Sequence, residues 1–220
     1  MTSIRPKAGE KAPEMKVFDS SGNTFNLSDK EGSDRNSLIV FYRGHWWPFC
    51  ISQLAEIKEI NHHFEELNTD VYGLSTDYPG QALALKQDMN LPFELLCDPE
   101  RKMLTAWDFL NPFEHGGVAV PAVVIVDSDG MICFMSVGGT ATRTQLTEIL
   151  DFLNKQKEDR THTLNLKKGR KLIIPGPGAL WQMTRNFVFQ GNAADWRHFF
   201  LWPFAYVKIL GAVIKKKLIG

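Results

Sequence analysis

Cysteine is scarce in this chain: three residues in 220, an odd number with no two at metal-ligand spacing. That scarcity argues against a disulfide scaffold and a zinc site, and it fits a reducing compartment. No uninterrupted run approaches the roughly 20 apolar residues of a membrane-spanning helix, and the longest candidate, 199–214, is broken by Pro203 and Lys208. The start of the chain, Met1 to Met15, is polar and punctuated by Pro6 and Pro13, without the apolar stretch of a secretory signal. A cytoplasmic location is the expectation. Internal repeats and low-complexity tracts are missing, and with 44% hydrophobic and 23% charged residues the chain can bury an ordinary core. No motif asks for a cofactor.

Net charge is also lacking, but the zero hides two opposite halves. Residues 1–154 carry 12 Lys+Arg against 22 Asp+Glu, a net −10, whereas 155–220 carry 13 against 3, a net +10. This predicts an acidic domain over 1–154 and a basic C-terminal extension over 155–220. The extension interleaves Trp181, Trp196, Trp202, Phe199, Phe200, Phe204 and Tyr206 with lysines and arginines. Two readings of it are open: peripheral membrane contact through 199–220, where aromatics sit at headgroup level and basic groups meet anionic lipid, or packing against an acidic domain, its own or that of a homodimer partner. Nucleic acid is a weaker third, because no nucleic-acid motif accompanies the charge.

Within 1–154, apolar patterning alternates between strand and helix. Lys16–Asp19 and Thr24–Leu27 flank the turn residues Ser20-Ser21-Gly22-Asn23. Residues 37–42 form a continuous apolar run suited to a strand buried on both faces. From Pro48 to Leu67, Ile51, Leu54, Ile57, Ile60 and Phe64 recur at helical spacing, with Pro48 in the first turn. Strands at 71–75, 92–97, 119–127 and 130–137 and helices at 79–89, 100–107 and 142–153 complete the pattern. The order predicts an α/β, thioredoxin-like three-layer sandwich with a mixed central sheet.

The informative segment joins the buried strand to the long helix: Phe41-Tyr42-Arg43-Gly44-His45-Trp46-Trp47-Pro48-Phe49-Cys50. Cys50 falls in the first helical turn, where unpaired N–H groups and the helix dipole favour a thiolate. Arg43 and His45 are placed to add positive charge or hydrogen bonds. Cys50 is therefore the candidate nucleophile. Cys97 and Cys133 sit in strand-like contexts and read as packing, as His62 and His63 read as surface residues, while His115 is a minor candidate on a loop near Pro121.

Residues 8–154 resemble the alkyl hydroperoxide reductase and thiol-specific antioxidant family, through Gly9-Glu10-Lys11-Ala12-Pro13, Phe41-Tyr42-Arg43-Gly44, Pro48-Phe49-Cys50, Gly73-Leu74-Ser75-Thr76-Asp77, Cys97-Asp98-Pro99 and the run from Pro121 to Gly130. The resemblance implies a peroxiredoxin-like oxidoreductase or antioxidant. On that reading the expected catalytic residues are Cys50, Arg43 and Trp47, with His45, Trp46, Val120 and Pro121 as the expected substrate-binding residues. Peroxide or a disulfide is the substrate and an external thiol the reductant. Typical members carry Pro-x-x-x-Thr-x-x-Cys with a distant Arg. Aligned on Cys50, this chain has Arg43 and Trp47 at the Pro and Thr positions, and Val120-Pro121 where the family Arg is expected. The latter resembles the cis-proline segment of thioredoxins. A related branch carries Tyr-Arg-Gly-x-Trp-Cys-Pro-x-Cys, and here Trp47 occupies the place of its first Cys. A lone Cys50 cannot close an intramolecular disulfide there, so any activity is expected to run a one-cysteine cycle or to use a thiol from elsewhere, and the alternative is a redox-inactive binding module.

Overall fold

The computed structural model describes residues 5–166, 171–181 and 184. The hairpin β1 (Lys16–Asp19) and β2 (Thr24–Asn26) leads through a single 3-10 turn, Leu27–Lys30, to β3 (Asn36–Phe41). Then follow α1 (Pro48–Glu59), α2 (Asn61–Glu66), β4 (Thr69–Ser75), α3 (Pro79–Met89), β5 (Glu94–Cys97), α4 (Lys102–Ala106), β6 (Leu110–Asn111), β7 (Val118–Ala119), β8 (Ala122–Val126), β9 (Ile132–Val137), β10 (Thr142–Arg143), α5 (Leu146–Glu158), β11 (Leu164–Leu166) and β12 (Lys171–Leu172). Eight strands form one sheet in the order β11-β9-β8-β3-β4-β5-β1-β2. β3, β4 and β5 run parallel, and β8 pairs antiparallel with both β3 and β9. The sheet is mixed, as expected.

β3 lies at the centre and its side chains serve both faces. Leu38 and Val40 join one apolar cluster with Leu54, Ile57, Phe64, Leu85, Ile149 and Phe152 from the helices. Ile39 and Phe41 join a second with Leu104, Trp107 and Phe109. This strand is apolar without alternation because water reaches neither face.

Several boundaries differ from the sequence expectation. The long helix over 48–67 is two helices, breaking at Ile60, whose φ of −113° and ψ of 14° leave the helical region. The strand expected over 119–127 is divided by Val120-Pro121 into β7 and β8, and β7 pairs with β6 instead of the main sheet. The helix expected from Thr142 begins at Leu146, and Thr142 and Arg143 form β10, held by Leu172 and Lys171 of β12. The boundary set at residue 154 falls inside α5, and β11 extends the main sheet beyond it. Trp196 to Tyr206 and the 199–220 segment read as a membrane contact lie outside the described residues. No described helix is long and apolar enough to cross a membrane.

Candidate active site

The site is built where β3 ends and α1 starts. Pro48 occupies the first helical position, where its missing N–H costs nothing, and Trp47 is the N-cap residue with extended backbone. Cys50 therefore falls in the first turn, its N–H donating to the Trp47 carbonyl at 2.9 Å. Its sulfur is fully buried, with 0% exposure. Two donors converge on it. The Arg43 backbone N–H lies 3.4 Å from Sγ, and the Arg143 guanidinium places Nη2 at 3.1 Å. The sulfur thus sits at a helix start with one backbone and one guanidinium donor on it.

Arg143 was not among the candidates drawn from the sequence, and it reaches the sulfur from β10. Its other terminal nitrogen donates to the carbonyls of Gly139 at 2.7 Å and Thr142 at 2.9 Å, so the 139–143 turn grips the guanidinium and fixes its aim. Pro121 acts at one remove. Its carbonyl accepts from Gly138 at 2.7 Å, tying the start of β8 to that turn, while Val120 donates to the Phe109 carbonyl. The peptide bond before Pro121 is trans, since no cis bond occurs among the described residues. The thioredoxin-like cis-proline expected there is thus corrected. Among the described residues no hydrogen bond joins Val120 or Pro121 to Cys50.

Arg43 is almost wholly buried, with its guanidinium 4.7 Å from the centre of the Trp47 ring and 5.9 Å from that of Trp46. It forms an ion pair with Glu114, which reaches in from the 112–117 loop. Burial lowers the Arg43 guanidinium from its usual value; the charge of Cys50 works against that and the neighbouring Arg143 adds to it. Two arginines therefore share the surroundings of one sulfur. Trp47 closes the mouth, its Nε1 donating to the Thr140 carbonyl at 3.3 Å and its ring packed beside Phe49. The Trp46 ring lies against His115, with centres 4.0 Å apart and planes tilted by 40°, so that histidine belongs to the wall of the site.

His45 engages Asp77 through both its Nδ1 and its backbone N–H, each at 2.8 Å, and Ser75 donates to the same carboxylate at 2.8 Å. Burial would push the Asp77 carboxyl up, yet the His45 charge and the hydrogen bonds from His45 and Ser75 hold it below the usual range. His45 thus ties the loop to the end of β4. Gly44 makes the close approach possible: a Cβ there would lie 2.7 Å from Trp46 Nε1 and 3.0 Å from Asp77 Oδ1.

Cys97 and Cys133 are buried strand residues, as expected. Burial and the charges of Asp77, Glu94 and Asp19 push the Cys97 thiol up to about 12. Burial, with Asp127, does the same to Cys133, also to about 12. Neither carries a thiolate at neutral pH. No metal-binding group of His, Cys, Asp and Glu occurs among the described residues.

Residues 8–135 match the model of the AhpC/TSA family. A putative peroxiredoxin of Mycobacterium tuberculosis is 31% identical over 144 residues, covering 64% of this chain and 90% of that protein. Alkyl hydroperoxide reductase C of Mycolicibacterium smegmatis is 30% identical over 149 residues, covering 61% and 75%. Among solved structures, Enterococcus faecalis AhpC superposes with a TM-score of 0.63 at 20% identity, over 78% of this chain and all of that one. Plasmodium vivax 2-Cys peroxiredoxin gives 0.63 at 22% identity over 71% and 100%, a likeness of fold. With the helix-start cysteine, the mixed sheet and a match over more than half its length, the chain belongs to the AhpC/TSA family.

Proposed function

We propose that this chain is a thiol peroxidase that reduces peroxides through Cys50 alone and is regenerated by an external thiol. The observation that carries the reading is the Arg143 guanidinium 3.1 Å from a buried sulfur at a helix start. A module used only for binding has no need to bury a cation on a thiol, since burying a charge is costly unless it is paired. Peroxiredoxins among the relatives support the same chemistry.

The thiolate attacks one peroxide oxygen, the O–O bond breaks, and the other oxygen leaves as an alkoxide or hydroxide that takes a proton from solvent. Arg143 holds the thiolate and stabilises charge as it moves from sulfur to the leaving oxygen. The sulfenic acid on Cys50 condenses with one external thiol, releasing water and leaving a mixed disulfide. A second thiol displaces that disulfide and restores Cys50. Cys97 and Cys133 take no part, because both are buried and protonated.

The test is peroxide consumption under excess dithiothreitol by the native chain, by Cys50→Ser and by the Cys97→Ser/Cys133→Ser double variant. Turnover that survives the double variant and vanishes with Cys50→Ser is expected. Turnover that persists without Cys50, or no turnover by the native chain, overturns the reading. A cytoplasmic setting is part of the same proposal, on the strength of three unpaired thiols.

A further inference from the structure

Arg43 stands apart from the thiol-holding arginine. Its guanidinium is 4% exposed as a residue, has a hydrophobic wall in Trp46 and Trp47, and leaves its Nε without a hydrogen-bond partner. The group that neutralises it is a carboxylate from a loop, Glu114, whose side chain is 43% exposed. That loop turns through three successive left-handed residues, His115 at φ 48°, Gly116 at 68° and Gly117 at 108°, and its tip carries Phe113 at 93% exposure. A buried cation beside the nucleophile is thus capped by a half-exposed carboxylate on a loop, a partner that an incoming carboxylate can replace without leaving the cation unpaired.

We propose that Arg43 is a specificity residue for peroxides that carry a carboxylate, the Glu114 side chain occupying in the free protein the seat that the substrate carboxylate takes. The proposal rests on the peroxidase reading above. Guanidinium and carboxylate match as a planar fork, which gives both affinity and orientation. The Trp46 and Trp47 rings beside Arg43 suit the flat or apolar body of such a peroxide. When the substrate carboxylate replaces Glu114 on Arg43, its O–O group lies over Cys50. The thiolate takes the terminal oxygen with its hydrogen to give sulfenic acid, and the remaining oxygen departs with the O–O electron pair as carboxylate or alkoxide.

Monoperoxyphthalate and peroxybenzoic acid are suitable probes, because they share the peracid and the ring and differ by one carboxylate. We expect the native chain to oxidise Cys50 at least about tenfold faster with monoperoxyphthalate, the scale of one charge-assisted hydrogen bond. Arg43→Gln should bring the two rates together, and Glu114→Gln should widen the gap by emptying the seat. Equal rates in the native chain, or a preference unchanged by Arg43→Gln, overturn the proposal. Because Arg43→Gln can disturb the fold, phthalate is also titrated against the Cys50→Ser chain, read by tryptophan fluorescence, with benzamide as the neutral control. Saturable binding of phthalate that is stronger in Cys50→Ser/Glu114→Gln supports the seat; binding no tighter than that of benzamide refutes it. Absence of turnover with both peracids counts against the peroxidase reading, and the titration then decides the seat independently.

Discussion

The contact from Arg143 to the Cys50 sulfur makes a quantitative prediction. Arg143→Met keeps an unbranched apolar stem but removes the charge and all three guanidinium nitrogens, so the 3.1 Å contact to Sγ and the bonds to the Gly139 and Thr142 carbonyls disappear together. A hydrogen bond from a charged donor contributes about 1.5–3 kcal/mol, and each 1.4 kcal/mol or so is a factor of ten. Iodoacetamide should therefore alkylate Cys50 in Arg143→Met about ten to a hundred times more slowly at neutral pH, in a Cys97→Ser/Cys133→Ser background. Arg143→Lys should fall between, because one ammonium cannot bond the sulfur and hold the turn at once. Alkylation of Arg143→Met at the native rate, with its melting temperature unchanged, would refute the assignment of Arg143 to the thiolate.

The buried thiols give a second test: with Cys97 and Cys133 both raised to about 12, folded Cys50→Ser should show no thiol reactive with a disulfide reagent at pH 8, and both should appear on adding denaturant. Asp77→Asn should cost about 3 kcal/mol in urea unfolding near neutral pH by breaking a buried charged pair. Because the Asp77 pKa is lowered in the folded state, its contribution is fully present above about pH 4, the unfolded value. The difference from the native chain should shrink as the pH falls further, and a constant difference down to pH 2 contradicts the assignment. Gly73→Ala should destabilise by about 1–3 kcal/mol, since its Cβ would come within 2.5 Å of the buried Leu95 side chain, and an unchanged denaturation midpoint would show that β4 and β5 can part there.

The parts of the fold set by local pattern were legible in the sequence. Pro79–Met89 and Lys16–Asp19 carry their own stop and start signals, and the apolar run of β3 announces a strand covered on both faces. Cys50 at the helix start followed from Pro48 and the spacing of Ile51, Leu54 and Ile57. What escaped depends on pairing across the chain. Arg143 was hidden because the helical spacing of Ile149 and Leu153 extrapolates back over Thr142, whereas β10 exists only through its pairing with Lys171 and Leu172. Glu114 and Asp77 were not singled out as partners of the site, because only the folded loops bring one to Arg43 and the other to His45.

The short strand β11 has a consequence for how the molecule behaves among its copies. Leu164, Asn165 and Leu166 lie alongside Phe134, Met135 and Ser136 of β9, and the Asn165 side chain accepts from the Ala8 N–H at 3.0 Å. Without that cover, the outer flank of β9 would present open N–H and C=O groups on a strand rich in apolar residues, a template on which another chain could grow a sheet. Three residues are enough to occupy those groups and too few to offer a long new edge. The stretch following α5 thereby guards the protein against aggregation at the flank of its own core.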